Sequence, residues 1–220
     1  MHFINRQSAG QKLANQLLAD FRYEDCVVLA LNIGGVLVGS QIAQELCSPL
    51  LLLLEEEIFL PHEPISVGGI TSEGNFVYND KLIPNESSEI LQEYRGVIEE
   101  EKLSKIREMT ALVGDSFLAK KELIKYRNVI LTIDALKGDL LLKLAYDFLK
   151  PLKIKNLIVA TPIADVSAVD WMHANADKIF CLWVNDDNDF DVNRYFDDNQ
   201  LPDLDKVIGI IENIVLNWKN

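Results

Sequence analysis

The chain has 220 residues, of which 49% are hydrophobic, enough to bury one substantial core, and a single domain spanning 1–220 is the expectation. Its 34 acidic residues against 21 basic ones give a formal net charge of −13, so the average surface repels phosphate-rich partners and nucleic acid is not an expected ligand. No apolar run reaches signal-peptide or membrane-spanning length, which predicts a soluble, cytoplasmic protein without a membrane partner. Cys26, Cys47 and Cys181 are odd in number and widely spaced, which suits neither a disulfide framework nor a zinc site, and the strand-like surroundings of two of them favour small core residues.

Ala9, Leu13, Ala14, Leu17 and Leu18 recur at helical spacing and predict an amphipathic helix over 5–20. The run 26–31 reads as a strand buried on both faces, Gly34-Gly35 turns it, and Val38, Ile42, Ala43 and Leu46 mark a second helix. Residues 50–54 predict another buried strand, leading through Glu55-Glu56-Glu57 into a hairpin or flap over 65–78, within a flap region at about 55–85. Residues 86–113 carry one apolar stripe (Ile90, Tyr94, Val97, Ile98, Ile106, Met109) in a charged background, as a long surface helix does. Strand 128–134, a loop through Gly138, helix 140–150 stopped by Pro151, strand 156–162, helix 165–176 and strand 179–184 follow. Residues 185–202 form an acidic loop, and a last helix turns Val207, Ile210, Ile211, Ile214, Val215 and Trp218 inward. Strands alternating with helices define a three-layer α/β fold with a mostly parallel sheet and helices on both faces.

In such a sheet, ligands bind beyond the carboxyl ends of the strands, which points to two loops. The first is Asn32-Ile33-Gly34-Gly35, where bare backbone N–H groups at a helix N-terminus could approach an anion; the same glycines could equally serve only to make the turn tight. The second is Asp134-Ala135-Leu136-Lys137-Gly138-Asp139.

The order of motifs along the chain resembles the type I phosphoribosyltransferases, in particular small stand-alone members. Arg6-Gln7-Ser8-Ala9-Gly10-Gln11-Lys12-Leu13-Ala14 is similar to their opening helix, Gly34-Gly35-Val36 and Val38-Gly39 to their pyrophosphate loop, and Pro61 to Ile70 to a segment ending in paired small residues and Ile/Val, with Asn79 after the flap. Ala160-Thr161-Pro162-Ile163-Ala164 and Phe190 to Asp198 resemble two later motifs. The resemblance implies a phosphoribosyl pyrophosphate (PRPP) site with Mg at these two loops.

The departures fall on that site. Relatives end the strand before the second loop in two acids, followed by a Gly/Thr-rich phosphate cradle; here the second acid is Ala135, the threonines are absent, and either Asp139 stands where a phosphate-binding Thr would be or, with Gly138 set on the family glycine, the loop is about two residues short. Asn32-Ile33 and Glu55-Glu56-Glu57 occupy positions where relatives carry pyrophosphate-neutralising Arg or Lys. Lys137 could compensate for the missing cations or simply be a solvated loop lysine. Asp187-Asn188-Asp189-Phe190-Asp191 starts like a calcium loop but has Val192 where the turn needs glycine, and His2, His62 and His173 share no ligand spacing, so no metal site is expected.

The sequence therefore predicts a phosphoribosyltransferase-like protein that has lost PRPP-dependent transfer, with no assignable catalytic residue. It would act as a binding or regulatory module, with a protein partner or a second copy of itself. An active, divergent transferase using PRPP and Mg is the alternative, and a structural partner subunit without a small-molecule ligand is a third reading.

Overall fold

The computed structural model describes residues 2–60, 66–79, 93–113, 120–186 and 190–216. Among them, β1 (Cys26–Ala30), β2 (Leu50–Leu52), β6 (Asn128–Thr132), β7 (Asn156–Asp165) and β8 (Lys178–Asn185) form a five-stranded sheet in the order β2-β1-β6-β7-β8. Every pairing in it is parallel. The strands alternate side chains between two cores, as the pleat requires. On one face, Val28, Ala30, Ile130 and Ile158 meet α1 (Arg6–Phe21), α2 (Ile33–Glu45) and α7 (Leu204–Leu216) through Leu13, Leu17, Val38, Ile42, Val207 and Ile211. On the other, Val27, Leu29, Val129 and Leu131 meet α5 (Leu140–Leu149) and α6 (Val166–Asn175) through Leu142, Phe148, Ala168 and Met172. The short α4 (Lys121–Ile124), which the sequence pattern does not signal, adds Ile124 to this second core.

A second, antiparallel sheet joins β3 (Glu55–Phe59), β4 (Ser66–Thr71) and β5 (Phe76–Tyr78) in that order. The glutamate run expected to lead into a hairpin is thus itself a strand. Its weak intrinsic preference is overridden by pairing with β4 and by Ile58, which packs with Ile70 and with Met109 of α3 (Arg95–Val113). The 86–92 part of the predicted long helix, with Ile90, lies outside the described residues, as do His62, Asp187 to Asp189 and Trp218. Asn75 of the small sheet donates to Asp147 of α5 at 3.1 Å, tying the two sheets together.

β7 runs three residues beyond its predicted end at Pro162. Proline is excluded from central strands because it lacks a donor, but β6 stops pairing with β7 at Thr132–Ala160, so at Pro162 that edge of β7 is free of the ladder. Further on, Leu136 pairs with Ala164 as an isolated bridge and closes the edge again.

α1 starts at a capping box: the Asn5 side chain accepts from Ser8 N at 2.8 Å and Ser8 Oγ accepts from Asn5 N at 3.2 Å. The helix lies so close to α2 that a Cβ on Gly10 would sit 2.5 Å from the Val38 carbonyl oxygen. Gly10→Ala is therefore expected to destabilise the chain by about 1–3 kcal/mol through overpacking, read as a lower midpoint in urea unfolding.

Candidate functional site

The two loops marked by the sequence do come together, at the carboxyl ends of β1 and β6, and Asp134 is their meeting point. Its carboxylate is bound from three sides. Arg6 Nε lies 2.7 Å from Oδ2 in an ion pair whose side chains are 4% and 8% exposed. Asn32 Nδ2 donates to Oδ1 at 3.0 Å, and Ala135 N donates to the same oxygen at 3.1 Å.

Asn32 holds this arrangement from the other loop. Its Oδ1 caps α2 by accepting from Gly35 N at 2.5 Å, while its Nδ2 is turned to Asp134. The Asp134 carboxylate fills the space that a Cβ on Gly34 would need, so this glycine serves the close approach of an internal carboxylate to the first turn of α2. A helix N-terminus favours a negative group, and here the chain supplies its own.

The residues after Asp134 are tied down as well. Leu136 N donates to the Ile163 carbonyl at 2.9 Å, and the Leu136 carbonyl accepts from Asp165 N at 2.9 Å. Gly138 N donates to Asp165 Oδ2 at 2.7 Å, while Asp165 Oδ1 caps α6 through Ala168 N at 2.8 Å. Three N–H groups in the segment 135–138 are thus already committed. Asp139, at the N-cap position of α5, makes no capping bond and pairs with Lys143 at 3.0 Å. Lys137 is exposed.

Ala135 faces an apolar wall, packing in one cluster with Phe3, Ala9, Ile163, Phe190 and Phe196. The Arg6 guanidinium lies 4.6 Å from the centroid of the Phe196 ring and adds a cation–π contact to its ion pair. The C-terminal motif is held to the N-terminus by a bridge between Phe3 and Phe196, with Phe3 N donating to the Tyr195 carbonyl at 2.8 Å.

Arg6 is the site residue that loop chemistry alone does not reveal. The signal was present: position 6 continues the buried stripe of Ala9, Leu13, Ala14 and Leu17, and a charge on a buried stripe demands a buried counter-charge. The glutamates also differ from expectation. Glu56 and Glu57 are exposed, with Glu56 3.9 Å from Lys105, but both Glu55 carboxyl oxygens are shut off from solvent without a hydrogen-bond partner among the described residues. Burial pushes the Glu55 carboxyl well above the usual carboxylate range. Cys26 is buried as expected, and burial pushes its thiol up to about 11, whereas Cys181 is only half-buried. Among the described residues, no group of three or more His, Cys, Asp or Glu is placed to hold a metal ion, and no helix is long and apolar enough to cross a membrane.

No protein-family model matches the chain. Over 183 residues it is 25% identical to a Mycobacterium tuberculosis protein described, in strains CDC 1551 / Oshkosh and H37Rv, as "Putative phosphoribosyl transferase". The match covers 82% of this chain but only 40% of that protein. In structure, the chain is similar to TT1426 from Thermus thermophilus, with a TM-score of 0.70, 21% identity and coverage of 97% of this chain and 99% of that one. A hypoxanthine phosphoribosyltransferase from Staphylococcus aureus matches at a TM-score of 0.44 and 14% identity over 80% of this chain and 71% of its own, too remote a likeness to carry an argument. The parallel sheet makes this an α/β protein, and its motifs and the Mycobacterium tuberculosis relative make it similar to phosphoribosyltransferases. Its likeness to TT1426 spans nearly the whole of both chains.

Two outcomes follow from this geometry. Asp134→Ala leaves a buried guanidinium without its partner and is expected to cost about 3–5 kcal/mol in urea unfolding. Adding Arg6→Met to it is expected to restore part of that loss, so that the double variant is less destabilised than the sum of the singles. For Glu55, a carboxyl whose value is raised by folding stabilises fully below the usual carboxylate range, and that contribution is lost as pH rises toward the raised value. Glu55→Gln is therefore expected to raise the melting temperature relative to wild type at about pH 8 and to leave it nearly unchanged at about pH 4. An equal effect at both would mean that the carboxyl is already ionised in the fold.

Proposed function

We propose that this chain is a phosphoribosyltransferase-like protein that does not transfer phosphoribose and works instead as a binding or regulatory module. The observation that carries this reading is the commitment of the phosphate-loop equivalent to the protein itself. Backbone donors that would wrap a 5′-phosphate already bond to Asp134, Ile163 and Asp165. Freeing them means breaking hydrogen bonds in a site whose work depends on preorganised donors.

The residues present do not fit PRPP with Mg. The surviving acid is in a buried ion pair, and the position of the second acid is an alanine against phenylalanine rings. Asp139 would set a carboxylate beside a phosphate dianion, a like-charge contact that disfavours binding. The Gly34 turn, which could have received an anion, is filled by Asp134.

Thermal unfolding with and without millimolar PRPP and Mg²⁺, together with an assay for released pyrophosphate across the common nucleobases, tests this. The expected outcome is an unchanged midpoint and no pyrophosphate. A rise of about 5–10 °C, as ligand at about 100 times its dissociation constant would give, would restore the transferase reading.

A further inference from the structure

The two edges of the parallel sheet differ. On one side the outermost strand, β2, is three residues long. On the other, β8 runs for eight, Lys178–Asn185, and its only strand neighbour is β7. Successive residues of a strand turn their N–H and C=O groups to opposite sides, so about half of those in β8 face away from β7. Among the described residues they meet no backbone partner. Folded chains blunt an open edge by keeping it short or by placing a charge or a proline on it. The run from Ile179 to Val184 has neither. Trp183 and Val184 are 42% and 43% exposed along this edge, and Val166, one residue past the partner of Asn185, is 48% exposed.

We infer that this edge pairs with β8 of a second copy of the chain, antiparallel about a two-fold axis at Leu182, so that two sheets become one. A row of open backbone groups is met by another strand, which defines the kind of partner. Antiparallel pairing of two identical edges uses both up and closes the assembly at two copies. Chains that each carry a net charge of −13 repel one another, so a contact between them belongs where acids are absent. Lys178–Asn185 contains no acid and carries one base. Pairing there also takes Trp183 and Val184 out of water.

The charges at the two ends of the strand set the register. With the axis at Leu182, Phe180 lies across from Val184 of the second copy, Cys181 across from Trp183, and Lys178 across from Asp186, which follows the strand and is exposed. Opposite charges directly across a strand pair favour it, and the two-fold axis repeats this pair at both ends. Lys178 lies 3.0 Å from Asp20 in a half-exposed contact, which leaves its ammonium donors for a second carboxylate. An axis moved to Cys181 sets Lys178 across from Val184 and loses both pairs. The inference goes beyond the loss of transfer proposed above and does not rest on it.

Sedimentation equilibrium of the full chain, with hydrogen exchange of the β8 amides, tests it. The expected result is a mass of two chains at about 50 µM that falls toward one on dilution, with exchange in β8 slowing as the dimer fills. Val184→Lys puts a charge on the edge and is expected to weaken the dimer at least about tenfold. Asp186→Lys sets like charges across both ends and is expected to weaken it about tenfold, and adding Lys178→Glu to that variant is expected to restore most of the loss. Val184 and Asp186 are exposed, so these variants are expected to keep the urea midpoint of the wild type. Leu103→Lys, at an exposed position on α3, is expected to leave the mass unchanged. A monomer at every concentration, a dimer indifferent to Val184→Lys, β8 amides that exchange equally fast in the dimer, or a charge exchange that restores nothing would each overturn the assignment.

Discussion

The buried ion pair between Arg6 and Asp134 joins the first helix of the chain to the end of its central strand, 128 residues later. Around it the upper end of the molecule is arranged. Asn32 is shared between this carboxylate and the cap of α2, Gly34 leaves the carboxylate its room, and Phe196 covers the guanidinium. Two charges taken out of water are tolerable only when their remaining polar groups are met. Asp134 meets that demand more fully than Arg6, whose Nη1 remains unmet among the described residues.

Beyond Asp134, the chain does not form an open loop but follows the end of β7, bonding to Ile163 and Asp165. Asp165 serves two elements at once, with one oxygen on Gly138 and the other on the first turn of α6. Substituting it would disturb both the segment after β6 and the helix after β7. The small antiparallel sheet reaches the main one through α5, so it does not need to touch the ends of β1 and β6 to be fixed in place.

Much of this fold could be read from apolar periodicity. The runs predicted at 26–31, 128–134 and 156–162 contain the buried strands Cys26–Ala30, Asn128–Thr132 and the start of Asn156–Asp165, and the helical stripe of α1 is where its spacing puts it. Periodicity failed where tertiary contacts outweigh local preference: at Glu55–Phe59, paired despite three glutamates, and past Pro162, where the end of the neighbouring strand makes proline acceptable. In the site, Asp134 and the paired glycines were legible as what remains of a family pattern, and Asn32 and Ala135 as departures from it. Arg6 belongs to that resemblance too, but without a role, because only the folded chain shows which charge its buried position answers. The upward push on the Glu55 carboxyl was equally out of reach, since it follows from the burial of two oxygen atoms and not from the residue type.

The apolar setting of Ala135 has a consequence for how the sequence can change. An acid introduced there alone would be placed among Phe3, Phe190 and Phe196, beside a guanidinium whose Nε already serves Asp134. The two aromatic motifs at opposite ends of the chain would have to loosen before a second carboxylate became tolerable, and loosening them first would expose the core they close. Any path from this sequence to a two-acid site therefore runs through intermediates less stable than either end, and the present arrangement acts as a ratchet against stepwise return.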